Sequence, residues 1–129
     1  MKRLNISSGA PWEDIVGYSR AVVVGDTIEV SGTTAMENGK VVAIGSYYQQ
    51  TSTILKIISE TLKKADSGMS DVVRTRIYVC DISKWEEVSK AHGEYFKQIK
   101  PAATMVEVSR LIDKDILVEI EVTAKKMNR

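Results

Sequence analysis

Two strand-forming runs, residues 20–24 and 27–31, are separated by only Gly25-Asp26. A connection of two residues can join strands only as an antiparallel hairpin, and glycine at its first central position suits a type II′ turn. The N-terminal part of the chain is therefore committed to a sheet, and whatever follows must extend that sheet or cover it. A further strand over residues 2–6 is expected ahead of the hairpin.

Downstream the hydrophobic period changes. Ser46-Tyr47-Tyr48-Gln49 has the form of a capping box, and Ile54, Leu55, Ile58 and Leu62 recur at helical spacing. Lys63 and Lys64 suit the negative end of the helix dipole, with Gly68 as the expected stop. Residues 72–80 are expected to form a long strand, with Val73, Thr75, Ile77 and Val79 on one face and Arg74, Arg76 and Tyr78 on the other. Ser83-Lys84-Trp85-Glu86 suggests a second capping box, followed by an apolar stripe of Trp85, Val88, His92, Tyr95, Phe96 and Ile99 that ends at Lys100-Pro101. Strands over 103–108 and 116–124 complete the order β, β, β, α, β, α, β, β. Two amphipathic helices on one side of a mixed sheet make a two-layer α+β fold. In the last strand Ile116, Val118, Ile120 and Val122 point one way and Leu117, Glu119, Glu121 and Thr123 the other. The second set is neither core nor fully polar, which suits water or a subunit interface.

A chain of 129 residues predicts one domain over 1–129 that buries about two thirds of its unfolded surface. Eighteen basic residues against seventeen acidic ones leave a formal net charge of +1. The basic excess of a nucleic-acid binder is missing. A lone cysteine, Cys80, excludes an internal disulfide, fits a reducing compartment and offers no metal-ligand spacing. No apolar run approaches the ~18 residues of a membrane span, and the N-terminal segment lacks the apolar stretch of a signal peptide. The expectation is a cytoplasmic protein with no metal site and neither membrane nor nucleic-acid partner.

Six segments then resemble, in order, the YjgF-like reactive-intermediate deaminase (Rid) family. They are Val16-Gly17-Tyr18-Ser19-Arg20-Ala21, Val30-Ser31-Gly32-Thr33, Asp71-Val72-Val73-Arg74-Thr75, Lys100-Pro101-Ala102-Ala103-Thr104, Val106-Glu107-Val108 and Leu117-Val118-Glu119-Ile120-Glu121. The resemblance implies a chorismate-mutase-like fold assembled as a trimeric barrel, with sheets inward, helices outward and small-molecule clefts between subunits. It also implies hydrolysis of an imine or enamine to a carbonyl compound and ammonia, without a metal or organic cofactor. By position, Glu119 is the carboxylate that places water, while Tyr18, Gly32 and Thr104 shape the cleft. Ser89 stands where many members have asparagine and Met105 where many have cysteine. Ala103 stands where the deaminase branch has the arginine that grips a substrate carboxylate. Alanine supplies none of the paired, charge-assisted hydrogen bonds of a guanidinium. The resemblance is therefore to a branch lacking that group, and an ordinary 2-imino acid is not the expected substrate.

Each candidate has a plainer alternative. Glu119 either orients a nucleophilic water or is a strand-face carboxylate bonded across an interface. Arg76, or its face-mate Arg74, either replaces the missing anion clamp or is a solvated, salt-bridged cation. His92, the sole histidine, either lines the cleft or is a packed, hydrogen-bonded residue of its helix. Trp12 either rims a pocket or covers the hairpin. Three functions stay open: imine deamination at intersubunit clefts, metabolite binding or regulation without chemistry, and endoribonuclease activity.

Overall fold

A computed structural model of the chain describes residues 2–127 and leaves Met1, Asn128 and Arg129 outside the description. Strand β1 (Arg3–Ile6) pairs antiparallel with β2 (Ala21–Val24), which turns through Gly25-Asp26 into β3 (Thr27–Thr33). Gly25 takes φ +61°, the left-handed value that a two-residue turn needs and that a Cβ opposes. A small hairpin absent from the sequence expectation follows, β4 (Met36–Glu37) and β5 (Lys40–Val41). Its tip, Asn38-Gly39, has both φ values positive, +53° and +77°, as a type I′ turn requires.

Helix α1 (Tyr47–Lys64) starts where Ser46 Oγ accepts the Gln49 N–H at 3.0 Å. It does not stop at Gly68. Asp66 turns left-handed at φ +57°, Ser67 N–H bonds the Leu62 carbonyl, and Asp66 N–H bonds that of Lys63. This is a Schellman closure with aspartate in the usual glycine place. Strand β6 (Val72–Val79) begins with a bulge between Val72 and Arg74. Val72 therefore takes the core position expected of Val73, which is only half-buried.

Helix α2 (Trp85–Phe96) is preceded by a tight turn over Ile82–Lys84. The cap of that turn is Asp81, whose carboxylate accepts the Ser83 N–H and hydroxyl at 3.0 and 2.7 Å. Ser83 is inside the turn, so the expected Ser83 capping box does not form. Trp85 also leaves the predicted stripe: Val88, Ala91 and Phe96 are buried, whereas Trp85 is 51% exposed. The helix ends at Phe96, earlier than expected, and Lys100 at φ +55° redirects the chain.

Strands β7 (Ala102–Glu107) and β8 (Val118–Lys125) complete a six-stranded sheet in the order β1-β2-β3-β8-β6-β7. Only β6 and β7 within it run parallel, and α2 is the crossover that a parallel pair demands. Both helices pack on one face. Val118, Ile120, Val122 and Ala124 of β8 are buried there against Ile54, Leu55, Ile58 and Leu62 of α1, all at 0–1% exposure. Each such α1 side chain stabilises the fold by about 1.5–3 kcal/mol relative to leaving it in water.

One buried polar residue ties these layers together. Gln50 is fully buried, donates to the Asp115 carbonyl at 2.8 Å, and accepts the Leu117 N–H at 2.9 Å. Its amide thus pins the segment entering β8, two residues before Glu119, to the first turns of α1. No helix among the described residues is long and apolar enough to cross a membrane.

Candidate functional site

The face of the sheet away from the helices carries Glu119, Glu121 and Thr123 of β8, all half-buried, whereas Leu117 just before the strand packs against the core. Glu119 sits opposite Tyr78 of β6 and beside the point where β3 bulges out of register, between Val30 and Thr33. The carboxylate fills the space where a side chain at position 32 would stand. A Cβ on Gly32 would overlap Oε2 and lie 3.0 Å from Cδ of Glu119. Gly32 is needed for what it lacks.

Arg20, one residue before β2, bears on the same glycine. Its Nη2 donates to the Gly32 carbonyl at 2.6 Å, while Ser31 N–H donates to the Arg20 carbonyl at 3.0 Å. The Tyr18 ring lies 6.0 Å from the guanidinium carbon. Behind it, Glu13 is buried and accepts the Ser8 N–H at 3.0 Å and the Ser8 hydroxyl. Burial opposes charge on Glu13, but the Ser8 and Ser7 hydrogen bonds and the Arg20 charge outweigh it and hold the carboxyl below its ordinary range. Burial raises the Glu119 pKa, Arg20 pulls it back, and Glu121 adds to the rise. Burial likewise lowers the Arg20 pKa against the pull of Tyr18, Glu13 and Glu119, yet a guanidinium stays protonated at any working pH.

Further along this face, Tyr78 donates its hydroxyl to Glu121, a bond that raises the phenol pKa together with burial. Arg74 donates to Thr104 Oγ1 at 2.6 Å. Arg76 is exposed and lies in register between Thr104 and Glu121.

The other candidates lie across the sheet. Under α2, beside edge strand β7, is a cavity of about 370 Å³ lined by Ile77, Ile82, Trp85, Ser89, His92, Gly93 and Ala103–Met105. Its walls are apolar, and no lysine or arginine is among them. His92 Nε2 lies 3.0 Å from Thr75 Oγ1 and its ring tilts against Phe96 at 4.7 Å. Burial lowers its pKa, so the imidazole is neutral near pH 7. The packed, hydrogen-bonded alternative describes this histidine, although one edge reaches the cavity.

The candidates therefore divide into two groups. Gly32 and Glu119 meet at one corner of the open face, Tyr18 joins them through Arg20, and Thr104 and Arg76 lie further along the same face. Ser89, His92 and Ala103 meet in the cavity on the helix side, with Thr104 at its rim. Trp12 is 61% exposed. Cys80 is half-buried, with Sγ 3.5 Å from the Ile116 carbonyl. Among the described residues no three His, Cys, Asp or Glu side chains are grouped to hold a metal ion. Arg20 belongs to the corner although strand periodicity gives it no special standing. The signal for it lay in the hairpin register: a two-residue turn that sets Ala21 opposite Val30 necessarily brings position 20 alongside 31 and 32.

Residues 9–126 match the family model described as Endoribonuclease L-PSP. A crystal structure of a Mycobacterium tuberculosis member of the YjgF/YER057c/UK114 family superposes with TM-score 0.88 at 43% identity, covering 97% of this chain and all of the other. A RutC family protein of Pyrococcus abyssi is 37% identical over 84% of this chain and 86% of its own length. The human 2-iminobutanoate/2-iminopropanoate deaminase is 34% identical over 83% of this chain and 78% of its own.

Proposed function

Because the chain belongs to the YjgF/L-PSP endoribonuclease family, we propose that it is a deaminase hydrolysing a small reactive imine or enamine in clefts between the subunits of a homotrimer. The observation carrying this reading is the Glu119 carboxylate, half-buried in the space left by Gly32 and facing Arg20 across a polar corner. Burial that raises a carboxyl pKa toward the working pH improves it as a general base.

In this reaction Glu119 takes a proton from a water held against it, and the water oxygen bonds to the imine carbon. The imine nitrogen gains a proton from solvent as the carbinolamine forms; Glu119 then gives its proton to the amine, the C–N bond breaks, and ammonia leaves as the hydroxyl proton passes to the freed carboxylate and the carbonyl forms. Tyr18 closes the corner. Within one copy the sheet separates this corner from the cavity holding Ser89, His92 and Ala103. A second copy is needed to set one chain's cavity against another chain's Glu119, and the half-buried open face supports such an assembly. Thr104 and Arg76, on the open face near the β7 edge, then border the shared cleft.

Substrate choice follows from charge. Ala103 and the apolar walls around it offer no partner to a carboxylate. A neutral imine is therefore favoured over a 2-imino acid. The relative named as a 2-imino acid deaminase supports the chemistry rather than the substrate. A second reading, binding without turnover, draws on the same Ala103.

The test is ammonia release from imines generated in situ from amines and amino acids of graded charge. Wild type is expected to accelerate release from the neutral imines, and Glu119→Gln to lose about 10²–10⁴-fold in kcat/KM, the usual worth of a positioned base. Unchanged rates in Glu119→Gln would remove the assignment. Ligand-induced stabilisation without any turnover would leave the binding reading in its place.

A further inference from the structure

We propose that Arg20 is a positioning residue for Glu119: held to the Gly32 carbonyl, it fixes the wall against which the carboxylate lies and provides the positive charge that keeps it ready to accept a proton. The proposal rests on the reading of Glu119 as the base and adds a residue to it.

Three observations carry it. Arg20 grips the β3 bulge twice, through its own carbonyl to Ser31 and through Nη2 to Gly32 at 2.6 Å. Gly32 is also the residue whose missing side chain makes room for Glu119. The guanidinium and the carboxylate thus act on one peptide, and moving the first moves the seat of the second.

Second, Arg20 is not bonded as a purely structural arginine would be. Its Nε is the one buried side-chain nitrogen or oxygen among the described residues without a hydrogen-bond partner, and such a vacancy works against stability. The ion pairs among the described residues, Lys84–Glu87 and Lys125–Asp26, do not include it. Arg20 and Glu119 therefore act on each other through space rather than through a direct ion pair.

Third, the surroundings need a cation here. Glu119 is faced by Glu121 on its own strand, by Tyr78 from β6, and by Arg20 with Tyr18 from the segment before β2. Glu13 competes for the same guanidinium. Burial and Glu121 both favour the protonated carboxyl, and Arg20 is the counterweight. Shared between Glu13 and Glu119, its charge is not spare for a substrate anion, so it does not simply replace the arginine absent at position 103.

The experiment is a carbon-13 titration of the Glu119 carboxyl in full-length wild type, Arg20→Gln and Arg20→Lys. The midpoint is expected to move to higher pH in Arg20→Gln and to stay close to wild type in Arg20→Lys, which keeps the charge. The same midpoint in Arg20→Gln and wild type would overturn the proposal. Should Arg20→Gln fail to fold, wild type decides. Its Arg20 Nε–Hε resonance should follow the Glu119 titration and lose that dependence in Glu119→Gln, and a wild-type resonance indifferent to pH would refute the coupling. In turnover, the acid limb of kcat/KM should shift the same way, with a drop of about tenfold in Arg20→Gln below the midpoint. The titration needs no substrate. Absent turnover with a shifted midpoint therefore sinks the deaminase reading alone, and an unshifted midpoint sinks the role of Arg20 alone.

Discussion

The two patches on either side of the sheet are made in opposite ways. The Glu119 corner is built from charge and from one missing side chain: a carboxylate, a guanidinium and the bare Cα of Gly32 held within one bulge. The cavity under α2 is built from volume, about 370 Å³ with apolar walls and its one titratable ring neutralised by burial. A corner of the first kind tolerates almost no displacement, because its function depends on where single atoms lie. A cavity of the second kind tolerates exchange of its walls and changes what it admits. On the proposed reading, chemistry falls to the former and selection to the latter.

That contrast is sharpest at Gly32. Gly32 is not in the left-handed region, so Gly32→Ala suits the backbone, and the clash falls on the far end of a flexible glutamate. Stability should change by less than about 1 kcal/mol, while kcat/KM falls about a hundredfold as the carboxylate is pushed aside. Thermal melts and steady-state rates on the same preparation check both halves. Equal losses in each would show that the corner is structural.

Ala103→Arg tests the cavity in the gaining direction. Affinity for a small carboxylate should rise about tenfold, the worth of one charged hydrogen bond. In the shared cleft of the proposed trimer the added guanidinium should also draw the titration of the facing copy's Glu119 to lower pH. Calorimetry against pyruvate and a neutral ketone of equal size would show it, and unaltered preference would mean that position 103 does not face the ligand.

The smallest effect concerns pH. Burial depresses the folded-state pKa of His92 below its unfolded value near 6.5. The unfolded chain therefore takes up this proton first. The stability linked to the neutral ring is fully present above that pH and is lost as pH falls through the depressed value. Melting temperatures of wild type should drop more between pH 7.5 and 5.5 than those of His92→Gln, and parallel curves would show the ring to be effectively solvated.

What was legible beforehand depended on how local the cause was. The β8 alternation, the Gly25-Asp26 hairpin and the Ser46 cap each arise within a few residues, and all appear as expected. Asn38-Gly39 was equally local, a type I′ turn lacking the long flanking strands that draw notice. Gly68 and Ser83 misled because two neighbours competed for one task. Asp66 reached the left-handed region first, and Asp81, a full carboxylate, took the Ser83 N–H and hydroxyl that the capping box assigned to Glu86. The corner was half legible: Glu119 and Gly32 through resemblance, Arg20 hardly at all. An arginine bonding a carbonyl twelve positions away leaves no period in the chain. The division of the candidates between two faces likewise needed the sheet order, which no single segment encodes.

Gln50 joins partners 65 and 67 positions apart, at Asp115 and Leu117, by one side-chain amide. Sliding α1 along its axis by a single turn would withdraw both ends of that amide and free the approach to β8. Helix and final strand are thereby locked in one register, so the aim of Glu119, two residues past Leu117, is set in part by a residue on the far side of the sheet.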